Sequence, residues 1–418
     1  MNASLAFTLV FSAMLVLGLA VKFWLASRQV RHVARHRDAV PAPFDRSIGL
    51  AAHRKAADYT IAKARFGLLE LAWGAAVLLG WTLLGGLDLL NRLLLGWIGP
   101  GMAQQLALLV GFSLVGSLLD LPFTLWQTFR LEQRFGFNRM TWKLWLADAA
   151  KGLLLGAALG LPLAALVLWL MGAAGSLWWL WAWGALVLWS ALLQFILPTW
   201  IAPLFNRFEP LADAPLKERV SALMARCGFA AKGLFVMDGS RRSAHANAYF
   251  TGFGAAKRVV FFDTLLKQLS VGEVEAVLAH ELGHFRHRHI LKRMVLMALL
   301  SLAGFALLGW VSGQVWFYTG LGVQPSMTGT NDAVALVLFM LAVPAFGWFA
   351  PPLMAQLSRR DEFEADAYAV AQTSGRDLSG ALLKLYQDNA STLTPDPVYV
   401  RFYYSHPPAS ERLARMSA

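Results

Sequence analysis

Seven long apolar stretches constrain this chain more than any other feature of its sequence. A helix needs about 20 mostly apolar residues to cross the hydrocarbon core of a bilayer. The stretches lie at about residues 4–26, 67–88, 104–127, 152–172, 177–199, 294–317 and 333–356. We expect the first to be a retained span rather than a signal peptide, because its basic residues, from Lys22 on, lie at or after its end.

The composition agrees with a membrane protein that carries a sizeable polar part. Of the 418 residues, 57% are hydrophobic and only 15% are charged, which excludes a disordered chain and an ordinary soluble enzyme. The single cysteine, Cys227, excludes a disulfide framework and a cysteine-based zinc site. The net charge of +12 is typical of basic cytoplasmic loops in a membrane protein, so we expect the bilayer, and no nucleic acid, as a partner.

The charges between the stretches predict the orientation. Basic and non-basic connections alternate along the whole chain: the first connection is strongly basic, and the second contains only Arg92. By the positive-inside rule this pattern places the N-terminus outside and the C-terminus inside. The composition is rich in Ala, Leu and Trp, and the sequence has no endoplasmic-reticulum retention signal, so we expect a multi-pass protein of a bacterial inner membrane.

The same pattern divides the chain into four parts. Residues 1–200 hold spans one to five with their loops, and residues 293–357 hold spans six and seven. Two polar blocks, 201–292 and 358–418, remain on the inner side. Because one hairpin of two spans separates them, both blocks can contribute to one site.

The first polar block reads as a small sheet followed by a helix. Residues 204–227 are polar and helix-like. Strand-like segments rich in β-branched and aromatic residues follow at 233–238, 246–252 and 258–263. Ser270 and Glu273 form a capping box that opens a helix from Val271.

That helix contains His280-Glu281-Leu282-Gly283-His284, an H-E-x-x-H sequence. Residues four apart lie on one helix face, so both imidazoles can reach one zinc ion. Glu281 lies beside the first ligand and can act as a general base at the open coordination position. A chance match is rare, because His makes up only 9 of the 418 residues.

A catalytic zinc needs one more protein ligand. Glu362 and Asp366 share a helix face in the second polar block, whereas Glu364 points elsewhere. Glu362 could be the third ligand and Asp366 an acceptor for a ligand histidine N–H, but a solvated charged helix explains the segment equally well. His287 and His289 are alternative ligands, although contacts around the ligands or with the membrane interface explain them better.

Several motifs together resemble one family, the Ste24-type CAAX prenyl proteases of peptidase family M48. The resemblance covers nearly the whole chain and rests on residues 35–41, 53–60, 135–141, 280–284, 362–366, 404–408 and 411–412. Glu364 stands where Gln is usual in the family.

The resemblance implies a mainly α integral membrane protein, in which seven transmembrane helices form an α-barrel around a chamber. A zincin-like metalloprotease domain with a small β-sheet would close the barrel. The resemblance also makes Glu362 the third ligand of one zinc ion per chain. His406 would stabilise the tetrahedral intermediate, with Arg412 holding that region, and residues Asn247, Ala248 and Tyr249 would form a substrate-binding edge strand.

The expected function is therefore a membrane zinc endopeptidase acting near the C-terminus of prenylated CAAX-type proteins or of other peptides. A bacterium need not contain prenylated proteins, so a quality-control protease like HtpX is an alternative role. A transporter or channel with a structural metal site is a further alternative, although a structural site usually has four protein ligands.

Overall fold

The computed structural model describes residues 2–42, 44–229, 233–251, 258–326 and 329–416. Its first half is almost entirely helical, with long apolar helices at the predicted positions. These elements are α1 (Ala3–Arg35), α2 (Leu50–Trp81), α3 (Gly86–Ile98), α4 (Met102–Phe135), α5 (Trp142–Ala173) and α6 (Gly175–Phe205). Helix α3 was not predicted and lies between the second and third spans.

The first polar block contains the predicted sheet and helix, with one additional strand. Its elements are β1 (Phe208–Pro210), α7 (Ala214–Arg226), β2 (Gly233–Met237), β3 (Ala248–Thr251), β4 (Arg258–Phe262), α8 (Asp263–Gln268) and α9 (Val271–Arg286). The prediction of helix throughout 204–227 was wrong at β1, which pairs antiparallel with β2. Gly252, the end of the second predicted strand, lies outside the described residues. The Ser270–Glu273 capping box is present.

The described strands form one sheet in the order β1-β2-β4-β3. Strands β2 and β4 run parallel, and β3 pairs antiparallel with β4. Among the described residues, β3 is therefore an edge strand of this sheet. The sheet and helices α7 and α9 share a core around Val220, Leu223, Phe261 and Leu278.

The remaining helices complete the membrane part and the second polar block. They are α10 (His289–Val311), α11 (Val315–Thr319), α12 (Asp332–Phe346), α13 (Ala350–Gln372), α14 (Gly375–Asp388), α15 (Pro397–Tyr403) and α16 (Ala409–Met416). The seventh predicted span is not one straight helix, because α12 and α13 meet at a bend of 70°. Gly347 ends α12, and Pro351 lies in the first turn of α13, where its missing N–H costs nothing.

Seven helices of the described chain follow one another around a closed ring: α1, α2, α4, α5, α6, α10 and α12. Backbones approach closely between all neighbours except α2 and α4. Helices α2 and α4 join through Trp73, whose Nε1 donates to Leu119 O at 3.2 Å. In each of the six straight spans of the described chain, at most 11% of an 18-residue apolar stretch is buried inside the protein. Such low burial fits helices exposed on both sides, so the α-barrel around a chamber is confirmed.

One end of the ring is filled. Helix α12 buries Val334, Ala335, Val337 and Leu338 completely or nearly so against its neighbours. The polar blocks join the barrel where α12 turns into α13, since α13 packs closely on α9. Helix α12 thus begins in the packed end of the membrane part, and the bend at its other end leads the chain to the H-E-x-x-H helix.

Helices α9 and α13 cross at a glycine. A Cβ added to Gly283 would lie 2.8 Å from Ala365 Cα and 3.1 Å from Ala365 O, which is closer than real Cβ atoms approach backbone. A larger residue at this position would therefore push the two helices apart. The glycine inside the H-E-x-x-H sequence sets the distance between its histidines and α13.

We expect Gly283→Ala to destabilise the protein by about 1–3 kcal/mol, because the added methyl group overpacks a backbone contact. Gly304 on α10 is a matched control, since a Cβ there would meet nothing within 4 Å. Thermal unfolding of both variants in detergent measures the difference. Equal melting temperatures for Gly283→Ala and Gly304→Ala would contradict the role of this crossing.

Candidate metal centre

Two histidines of α9 present the same ring atom to one point. His280 and His284 lie one helical turn apart, and their Nε2 atoms are 3.3 Å apart. The capping box at Ser270 fixes the start of this helix, and its apolar face packs into the core through Leu278 and Leu282. The helix is therefore held rigidly with its two imidazoles facing α13.

Glu362 of α13 completes a triangle of donor atoms. Its Oε2 lies 3.4 Å from His280 Nε2, and its Oε1 lies 3.3 Å from His284 Nε2. Tetrahedral zinc with ligand distances of about 2.0–2.1 Å separates its ligand atoms by about 3.3–3.4 Å. Each imidazole Nε2 thus lies at this spacing from one oxygen of the Glu362 carboxylate, so one such ion fits among the three side chains.

The environment of this triangle favours a cation. Glu362 is 4% exposed, and its Oε2 has no hydrogen-bond partner among the described residues. A buried carboxylate oxygen without a partner is costly unless a cation binds it. Burial lowers the pKa of His280, but the neighbouring carboxylates of Asp366 and Glu362 outweigh this effect and raise the pKa to about 9, so the site attracts positive charge. The residues present therefore fit a bound metal ion.

A buried ion pair supports the other side of His280. Its Nδ1 lies 2.8 Å from Asp366 Oδ1. Arg412 of α16 holds Asp366 with two bonds, from Nη2 to Oδ1 at 2.6 Å and from Nε to Oδ2 at 2.8 Å. The Asp366 carboxylate can accept the Nδ1 proton of His280 and so direct Nε2 toward the metal position.

Glu281 lies beside the triangle in a cavity of about 610 Å³, which His280, His284, Glu362 and His406 also line. Burial raises the pKa of the Glu281 carboxyl. A carboxylate whose pKa is raised toward neutrality is a better general base. Its place beside the three donors is the one that a general base needs, and the role of Glu281 stays a prediction.

His406 approaches the same carboxylate from the C-terminal segment. Its Nε2 lies 3.3 Å from Glu362 Oε1, and its Nδ1 lies 2.9 Å from the Ser405 hydroxyl. The side chain is 64% exposed, so it can move toward a substrate in the cavity. His406 also lines a second, larger cavity of about 960 Å³, which connects this region with Asn247 and Arg412.

The predicted substrate-binding residues lie at the start of β3. Asn247 is exposed toward the larger cavity, and its carbonyl oxygen accepts from Phe262 N at 3.0 Å. Ala248 and Tyr249 pair with β4, which leaves the opposite edge of β3 unpaired by any described strand. The structure therefore places Glu281 and His406 in one cavity with the three predicted ligands. The Asn247 segment lines the adjoining cavity, which it shares with His406.

Behind His284 lies a set of contacts whose partners the sequence did not identify, although it favoured contacts around the ligands or with the membrane interface for His287 and His289. The Nδ1 atom of His284 lies 3.0 Å from His289 Nδ1, and His289 Nε2 lies 3.1 Å from Glu364 Oε2. The i, i+4 rule could not find His289, because a break between α9 and α10 separates it from His284. His287 lies near Glu364 at 4.0 Å and does not reach the donor triangle.

Two family models match the chain almost end to end. Residues 29–207 match the CAAX prenyl protease N-terminal model, which has five membrane helices, and residues 210–418 match peptidase family M48. A solved structure of S. mikatae Ste24p superimposes with a TM-score of 0.92 at 32% identity and covers 99% of both chains.

Curated relatives agree over most of their length. CAAX prenyl protease 1 of Saccharomyces cerevisiae is 32% identical over 99% of this chain and 96% of its own. The Homo sapiens homolog is 31% identical over 97% and 94%, and the Arabidopsis thaliana homolog is 37% identical over 74% and 72%. With the barrel, the H-E-x-x-H helix and the donor triangle in place, the chain belongs to peptidase family M48 as a multi-pass membrane metalloendopeptidase of the Ste24 type.

Proposed function

We propose that this protein is a zinc endopeptidase that cuts prenylated CAAX-type proteins near their C-terminus. The observation that carries the proposal is the triangle of His280 Nε2, His284 Nε2 and a Glu362 carboxylate, whose sides of 3.3–3.4 Å suit one zinc ion per chain. Three protein ligands rather than four leave a position open for chemistry. Open coordination and membership of a peptidase family both favour catalysis over a structural site in a transporter.

Zinc bound by His280, His284 and Glu362 would supply Lewis-acid chemistry and a water acidified to a pKa of about 7. Glu281 faces the same cavity and would take a proton during attack and return it to the leaving amine. His406 would donate from Nε2 to the oxyanion that forms on the scissile carbonyl. Asp366 and Arg412 would keep His280 in the tautomer that binds metal through Nε2.

The substrate would reach these groups as an extended chain. The unpaired edge of β3 near Asn247, Ala248 and Tyr249 offers backbone groups for β-augmentation. The two adjoining cavities, of about 610 and 960 Å³, both include His406 and provide room on either side of the cleaved bond. The proposed reaction thus uses the segments 201–292 and 358–418 of the four-part division.

We expect Glu281→Gln to lower peptide cleavage by at least about 100-fold while one zinc per chain is retained, because an amide cannot accept the proton. Glu218→Gln on the exposed face of α7 is the matched control and should keep full activity. Peptide cleavage and metal content of the same purified samples measure both effects. Undiminished cleavage by Glu281→Gln would exclude this carboxylate as the base.

The relatives named CAAX prenyl proteases predict the substrate. We expect a farnesylated C-terminal peptide to be cleaved before its last three residues. The same peptide without the lipid should be cleaved much more slowly, because the lipid concentrates the peptide at the bilayer that surrounds the helices. Mass spectrometry of the released fragments measures both. Equal cleavage of both peptides, or internal cuts in unprenylated membrane proteins, would favour the quality-control role of an HtpX-like protease.

We also propose that the protein lies in a bacterial inner membrane with the N-terminus outside and the zinc site on the cytoplasmic side. The alternation of basic loops supports this orientation. In a Cys227→Ser background, Pro100→Cys should react with an impermeant maleimide in intact cells, and Glu218→Cys only after permeabilisation, since both positions are exposed. The opposite labelling pattern would invert the proposed topology.

A further inference from the structure

The two histidines of the donor triangle have different partners behind them. The Nδ1 of His280 meets a carboxylate, Asp366, whereas the Nδ1 of His284 meets another imidazole, His289, at 3.0 Å. His289 is 3% exposed and is the first residue of α10. Nothing in the proposed reaction requires this residue, yet its ring is buried against a proposed ligand.

The proton positions along this contact follow from the chemistry of imidazole. A neutral imidazole that binds metal through Nε2 carries its proton on Nδ1, so His284 Nδ1 must donate. His289 Nδ1 must then accept, which places the proton of a neutral His289 on Nε2. That atom faces two acceptors, Glu364 Oε2 at 3.1 Å and Asp361 Oδ1 at 3.5 Å. One assignment of protons therefore satisfies every contact in the chain.

The backbone before His289 is strained in the way this contact requires. Arg288 adopts the left-handed conformation with φ 56° and ψ 33°, which is uncommon for a residue that is not glycine. This turn separates α9 from α10 and folds His289 back onto His284, although only five positions separate them. Such strain costs of order 1 kcal/mol and persists where the surroundings hold it.

We propose that His289 is a positioning residue for the metal centre, which accepts the Nδ1 proton of His284 and is itself oriented by Glu364 and Asp361. The inference rests on the proposed function, because it assigns His284 Nε2 to zinc. His289 lies at the wall of the 610 Å³ cavity but is only 3% exposed, and it acts through the orientation and basicity of His284. The two ligand histidines are then supported by different devices: an aspartate–arginine pair behind His280 and a histidine–carboxylate relay behind His284.

A second cation held by His289, Asp361 and Glu364 is the alternative, since their donor atoms lie within 4.8 Å of one another. The charges of the two carboxylates are already opposed by neighbouring arginines. Arg360 Nε lies 3.2 Å from Glu364 Oε1, and Arg293 Nη2 lies 4.0 Å from Asp361 Oδ2. This balance favours hydrogen bonding to His289 over capture of another metal ion.

The test compares His289→Asn with His289→Leu in the full-length protein. The Oδ1 of asparagine can stand where the imidazole Nδ1 stands and still accept from His284, whereas leucine leaves that proton without an acceptor. Zinc dissociation constants are measured by competition with a chromophoric chelator. We expect the leucine variant to bind zinc about 10- to 100-fold more weakly and the asparagine variant to stay within about threefold of wild type.

Kinetics provide a second readout that a merely structural role would not move. With zinc saturating, we expect His289→Leu to lower kcat with KM nearly unchanged, because a side chain that is only 3% exposed offers a substrate little contact. We expect His289→Asn to restore most of kcat. Melting temperatures of the metal-free variants control for unfolding. If the leucine variant does not fold, His289→Gln replaces it, since its longer amide reaches toward Glu364 rather than toward His284.

Three outcomes would overturn the relay. In the first, His289→Leu, or His289→Gln in its place, binds zinc and turns over as wild type does. In the second, His289→Asn loses as much zinc affinity as that variant. In the third, wild type binds a second zinc ion that both variants lack. A wild-type protein that binds no zinc would instead refute the proposed function itself. The two failures are therefore distinguishable in one titration series.

Discussion

The chemistry of this protein depends on one close helix crossing. Helices α9 and α13 approach so closely that a Cβ on Gly283 would collide with the backbone of Ala365. This short distance between the helices brings the Glu362 carboxylate within 3.3–3.4 Å of the imidazoles of His280 and His284. Glu362 lies 78 positions after the nearer imidazole, His284, in the sequence. The proposed metal centre is therefore a product of tertiary packing, although two of its three proposed protein ligands lie on a single helical turn.

The membrane part positions this crossing and surrounds it with enclosed space. A ring of helices with little burial along its length is filled only at one end, where α12 is packed. The bend between α12 and α13 then delivers Glu362 to the side where the sheet and α9 are attached. A peptide bound in the adjoining cavities would be held between polar catalytic groups and the bilayer, which suits a substrate that carries a lipid.

Much of this arrangement could be predicted from the sequence. The positions of the straight spans follow from hydropathy, the start of α9 from the Ser270–Glu273 pair, and the ligand face from the spacing of His280 and His284. Glu362 was left undecided by spacing alone and needed the family resemblance. The bend, helix α3, strand β1 and the partners of His289 could not be predicted, because each depends on tertiary contacts or on a local turn such as Arg288, which no periodicity encodes.

The most direct measurement of the central claim is X-ray absorption at the zinc edge on purified protein, together with metal analysis and cleavage of the same sample. The account predicts one zinc per chain, surrounded by nitrogen and oxygen atoms only at about 2.0–2.1 Å, with two of the ligands imidazoles. Replacement of the carboxylate by Glu362→Ala should remove the metal and the activity together. Full peptidase activity in a metal-free sample, or sulfur in the coordination shell, would contradict the account.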